Sequence, residues 1–131
     1  MEAGVTIRMI KSSVSVDNEA VLFLEVLGPS GATIEVKAII DTGFSAALTL
    51  PKDWINELEL PYVDSHDIFL ADGSNIDVGL YDAMILWDGN PRPVLVHCME
   101  GDPLIGMGLM KDFLLHLPVR VGSEFTISEI D

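Results

Sequence analysis

The chain has 131 residues, enough for one domain (1–131) with a substantial core and too few for two ordinary ones, and its 49% apolar content argues against a disordered chain. Seven basic against 21 acidic residues leave a formal charge of −14, which repels phosphate backbones and argues against nucleic acid as a partner. No apolar run approaches the roughly 18 residues of a membrane helix, no basic-apolar-small leader opens the chain, and a single cysteine, Cys98, forbids an intramolecular disulfide.

A soluble, cytoplasmic protein with no membrane partner is the expectation. The three histidines, His66, His97 and His116, are far apart in sequence and show no metal-ligand spacing with Cys98, so no metal is expected. Gly106-x-Gly108 lacks the third glycine and the βαβ frame of a dinucleotide loop, and no cofactor is expected.

In chain order, strand patterns dominate. Residues 4–10 alternate in part, with Val5, Ile7 and Met9 on one face. The run "AVLFLEVLG" (20–28) is almost continuously apolar, which predicts a strand covered on both sides. "GPSG" (28–31) makes a turn into "ATIEVKAII", where Ile34, Val36, Ala38 and Ile40 share one face and Glu35 and Lys37 the other. This hairpin delivers Asp41 at the end of its second strand. Pro51 then opens a short helical candidate over 51–60, with Trp54 and Leu58 four apart.

Residues 66–89 read as strand, turn, strand with Asp72-Gly73 at the tip, and Asp88-Gly89-Asn90 turns the chain into a further strand over 91–100. In 103–117, Leu104 and Ile105 run into Gly106, and "MGLMKDF" looks like one or two helical turns. "FTISEI" (125–130) closes the chain as a strand. Trp54 and Trp87 are expected in the core or an interface, Met99, Met107 and Met110 as core filler, and Cys98 as an inert thiol on an apolar strand. The sum is a small all-β domain with one or two short helices.

The stretch "KAIIDTGFSAALTLP" (37–51) carries the chemistry. Asp41 stands between two strand-like runs, followed by Thr42 and Gly43. Glycine permits a tight, closely packed turn, and the Thr hydroxyl can lock it. Apolar neighbours make a carboxylate's charge costly, which suits a general base; two such groups facing each other share one proton and divide the roles of acid and base. As a bare triplet, Asp-Thr-Gly also occurs in ordinary surface turns.

"AIIDTGFSAALTLP" resembles the active-site segment of retropepsin-like aspartic proteases, closest to a prokaryotic single-domain group that reads Asp-Thr-Gly-Phe. Ile39, Ile40, Asp41, Thr42 and Gly43 match its pattern position by position. "FLADGSNIDVGLYDAMILWDG" resembles the flap hairpin, its tip at Ala71, Asp72, Gly73, Ser74 and Asn75. "RPVLVHCMEGDPLIGMGLM" resembles the strand and the hydrophobic-hydrophobic-Gly element behind the catalytic loop, filled here by Leu104, Ile105 and Gly106. The resemblance covers roughly residues 20–128.

The resemblance implies a closed barrel of six or more strands, the retropepsin-like acid-protease fold, with one or two short helices. It implies an aspartic endopeptidase acting on a peptide or protein substrate, with Asp41 catalytic and Thr42, Gly43 and Ser45 supporting its loop. One motif per chain implies a homodimer in which two Asp41 residues meet. Phe44 stands where well-studied relatives carry Ala or Ser, and it cannot make the hydrogen bond of the Ser form. The competing expectation is a weakly active or inactive protein of the same fold that binds peptides.

Overall fold

The computed structural model describes residues 9–130. Among these, the strands are β1 (Met9–Val14), β2 (Ala20–Leu27), β3 (Thr33–Ile40), β4 (Leu48–Leu50), β5 (Tyr62–Phe69), β6 (Asn75–Trp87), β7 (Asn90–Cys98), β8 (Leu104–Ile105), β9 (Phe113–His116) and β10 (Glu124–Glu129). Two short helices, α1 (Lys52–Glu57) and α2 (Met107–Met110), interrupt them. No helix among the described residues is long and apolar enough to cross a membrane. Of the strand expected over 4–10, residues 4–8 lie outside the described residues.

The strands are ordered β5-β6-β7-β4-β8-β3-β2-β1-β10-β9, and β6 also pairs with β2. That extra pairing closes β2, β3, β8, β4, β7 and β6 into a six-stranded barrel, which removes the free edges of those strands. Closure rests on β6. Its first half pairs with β5 outside the barrel, from Asn75↔Phe69 to Tyr81↔Tyr62, and its second half pairs with β7 and, over Met84–Leu86, with β2. One long strand therefore serves both the barrel wall and an outlying β5–β6 hairpin.

The turns follow local chemistry. Asp88 and Gly89 link β6 to β7 with φ of 52° and 78°, the left-handed pair that a two-residue hairpin turn requires, and Trp87↔Asn90 closes it. The 70–74 tip is held by Leu70 N–H donating to the Ser74 carbonyl (2.7 Å) and Gly73 N–H to the Leu70 carbonyl (3.0 Å). Asp72 Oδ1 accepts from the Ser74 hydroxyl and amide, and these bonds hold the Asp72 carboxyl below its ordinary range.

The core fills the barrel. Val26, Val36, Leu48, Leu50, Ile85, Val96 and Ile105 are fully buried, and α1 closes one side with Ile55 and, just past its end, Leu58. Each such side chain contributes roughly 1.5–3 kcal/mol of transfer free energy.

One strand expectation is corrected. The apolar run of β2 is not covered on both sides: Phe23 is 59% exposed, and from Leu22 onward the strand alternates in and out. "MGLMKDF" makes one helical turn, the shorter of the two lengths expected, because Lys111 leaves the helix with ψ 133°, Asp112 takes φ 69°, and Phe113 begins β9. Among the residues expected as core, Trp87 and Met110 are buried, Trp54 packs partly against the core and Met99 is half-buried, whereas Met107 faces outward.

Candidate active site

β3 runs parallel to β8, with Ile39↔Leu104 and Ile40↔Ile105 in register, and it stops at Asp41. The Asp41 amide donates to the Ile105 carbonyl (2.8 Å), and the Ile39 amide to the Pro103 carbonyl (2.9 Å). Past Asp41 the chain reverses: Phe44 N–H donates to the Asp41 carbonyl (3.1 Å), and Gly43 N–H donates to Asp41 Oδ1 (2.9 Å). The carboxylate is thus oriented by the amide two residues on. Asp41 is half-buried, while Thr42, Gly43 and Ser45 are exposed. No side-chain hydrogen bond joins Ser45 to Asp41 among the described residues.

Behind this loop passes the Leu104-Ile105-Gly106 segment. Gly106 N–H donates to the Ala47 carbonyl (2.9 Å), Met107 N–H to that of Phe44 (2.8 Å) and Gly108 N–H to that of Ala46 (3.1 Å). The approach is so close that a Cβ on Gly106 would lie 2.2 Å from the Ala46 carbonyl oxygen and 2.6 Å from the Phe44 ring. Only glycine fits there. Leu104 N–H finds its acceptor in the hydroxyl of Thr49 (2.9 Å), a buried residue of β4.

The fold therefore brings the Leu104–Gly106 segment against Asp41 and, through Gly106, against Phe44, Ala46 and Ala47 of the same loop. Ala71, Asp72, Gly73, Ser74 and Asn75 form the exposed tip of the β5–β6 hairpin, and among the described residues no hydrogen bond ties them to the Asp41 loop.

Sequence reasoning missed Thr49, and it missed what surrounds Phe44. The Phe44 ring meets His97 edge to face, with centroids 5.8 Å apart, and His97 in turn meets His66 of β5 at 4.9 Å. Their Nε2 atoms are 3.3 Å apart. His97 is buried, with Nδ1 lacking any partner, and its pKa is held below the ordinary value by burial and then by His66. In sequence these histidines are 31 residues apart. A histidine inside the apolar stretch 94–98 was the available signal; its partner is set by strand order. Among the described residues no group of three or more His, Cys, Asp or Glu converges.

No protein-family model and no curated protein matches the chain by sequence. Solved structures do match. A retropepsin-like aspartic protease from Rickettsia conorii superposes with a TM-score of 0.66 at 16% identity, over 95% of this chain and 92% of that one. The EIAV protease, in complex with the inhibitor HBY-793, superposes with a TM-score of 0.55 at 14% identity, over 77% of this chain and 93% of that one.

The fold is retropepsin-like. In a retropepsin-like frame, the barrel, the projecting β5–β6 hairpin and the glycine crossing behind Asp41 are parts of one architecture. At these identities the likeness concerns the fold, and the chemistry has to be argued from the residues.

Proposed function

We propose that the chain is an aspartic endopeptidase that works as a homodimer, residues 1–131 acting as one domain and one Asp41 from each copy meeting at a two-fold axis. The observation that carries this reading is the seating of Asp41. It is a half-exposed carboxylate at a strand end, oriented by the Gly43 amide and backed by the Gly106 crossing, within a retropepsin-like fold. One copy presents one such carboxylate, so an acid–base pair needs a second copy.

In that dimer one Asp41, ionised, takes a proton from water as the oxygen attacks the scissile carbonyl carbon. The other, protonated, donates to the carbonyl oxygen. Collapse of the tetrahedral diol passes a proton to the leaving amine, and no covalent intermediate forms. Thr42, exposed beside the carboxylate, is free to bond across the interface; Gly43 and Ser45 complete the loop, which Leu104, Ile105 and Gly106 hold from behind. The substrate is an extended peptide paired through its main chain beneath the 71–75 tips, whose movement gates entry.

The test is digestion of a peptide library across about pH 3–8, bracketing the reference carboxyl pKa of about 4, with Asp41→Asn alongside and sedimentation of both. Wild type is expected to cut as a dimer, and Asp41→Asn to lose about 10²–10⁴-fold or more. A folded wild-type dimer that cuts nothing leaves a peptide-binding module of the same fold. A monomer at working concentrations removes the dyad.

A further inference from the structure

We propose that His66 and His97 form a proton-released latch that holds strand β5 of the projecting hairpin against the barrel beside the Asp41 loop. The latch itself is a matter of geometry; its role as a gate of the active site rests on the peptidase reading above.

β5 is an edge strand that pairs with β6 alone, and large parts of Tyr62, Val63 and Phe69 face solvent. Among the described residues, the side-chain hydrogen-bond contact from β5 to a strand other than β6 is the one between His66 and His97 of β7, Nε2 to Nε2. Apart from its backbone ladder with β6, this contact is the polar tie that holds the strand.

The direction of that bond follows from the surroundings. One of the two facing nitrogens has to carry a proton and the other a lone pair. His97 Nδ1 is buried without a partner. A proton there would be a buried, unanswered donor, so the His97 proton belongs on Nε2, donating to the lone pair of His66 Nε2. His66 keeps its own proton on Nδ1, on an exposed side chain.

A proton from solvent that lands on His66 Nε2 consumes the accepting lone pair. Two N–H groups then face each other across 3.3 Å. His97 restores the bond only by moving its proton to Nδ1, which has no acceptor. The latch therefore opens with one proton and closes when that proton leaves.

The groups around the pair do not replace it. On the pair's face of the sheet, β4 contributes Thr49 and β6 contributes Val78 and Leu80, all uncharged. The charged groups on that face are Asp64 of β5, opposite Leu80, and Asp82 of β6, opposite Leu95; both are exposed. From the catalytic loop, Phe44 stands against His97. Asp41 lies on that same loop, and the Phe44 carbonyl accepts from Met107, so the latch abuts the segment that positions the carboxylate.

The test is amide hydrogen exchange on the full chain carrying Asp41→Asn, with His66 intact or changed to Phe, at about pH 7.5 and 5.5, either side of the reference His value of about 6.5. Comparing the two proteins at each pH cancels the intrinsic pH dependence of exchange. At the higher pH, β5 amides are expected to exchange about 2–10-fold more slowly with His66 intact, the factor of one neutral hydrogen bond. At the lower pH the two proteins are expected to match, with β7 amides unchanged throughout. A difference of equal size at both pH values, or none at either, overturns the latch. His66→Asn, which also lacks a titrating ring, gives the same comparison. The Asp41→Asn background makes the result independent of peptide cleavage, so the latch and the peptidase reading fail separately.

Discussion

At the scale of single residues, His97 concentrates the electrostatic tension of the site. Burial holds its pKa down, with the neighbouring His66 adding to the effect, so the unfolded chain binds a proton at this position more readily than the folded one. The contribution to stability is full above the unfolded value of about 6.5 and is lost as pH falls through the folded one. Denaturant unfolding of wild type and His97→Phe at several pH values checks this: the stability gap between them is expected to shift toward the variant as pH drops below about 6.5. A gap that does not move with pH would contradict the assignment. Cys98, next along β7, behaves as its sequence suggests, since burial pushes its thiol upward and away from the reactive thiolate.

At the scale of elements, the decisive contact is the crossing of the β8–α2 connection behind the Asp41 loop. Three carbonyls, of Phe44, Ala46 and Ala47, receive the consecutive amides of the 106–108 segment, and the gap between the two segments has no room for a side chain at Gly106. Gly106→Ala has to push Ala46 and the Phe44 ring aside. A loss of about 1–3 kcal/mol is expected from this overpacking, read as a lower midpoint in chemical unfolding. Because the displaced atoms belong to the loop carrying Asp41, any peptidase activity is expected to fall further than stability alone accounts for; equal activity per folded molecule would count against the loop's positioning role. β8, two residues long, lies between β3 and β4, and the buried Thr49 hydroxyl of β4 accepts its Leu104 N–H.

At the scale of the whole molecule, the charge of −14 sets conditions on assembly. Two copies brought together repel over a range that falls with ionic strength, from a Debye length of about 30 Å at 0.01 M to about 10 Å at 0.1 M. The proposed dimer is therefore expected to tighten as salt rises or as pH falls. Sedimentation at low and high salt measures it, and a dimer fraction indifferent to salt would dismiss electrostatic control of association.

Much of this was legible in the chain itself. Alternation in "ATIEVKAII", the Asp-Gly turn signals and the Asp-Thr-Gly loop between two apolar runs depend on neighbours in sequence, and the physics that shapes them, backbone sterics and period-two burial, is local. Those features set the strand content, the hairpins and the position of Asp41. What tertiary structure alone decided was lateral order. Whether β6 would reach back to β2 and close the barrel, whether Phe23 would be left facing solvent, and whether His66 would find His97 all depend on which distant strands become neighbours. A residue's own periodicity gives its face of a strand; what lies over that face comes from elsewhere in the chain. Phe44 spans the two kinds of information. In sequence it is an unusual residue after the motif, and in the fold it is the surface joining the Asp41 loop to the histidine pair.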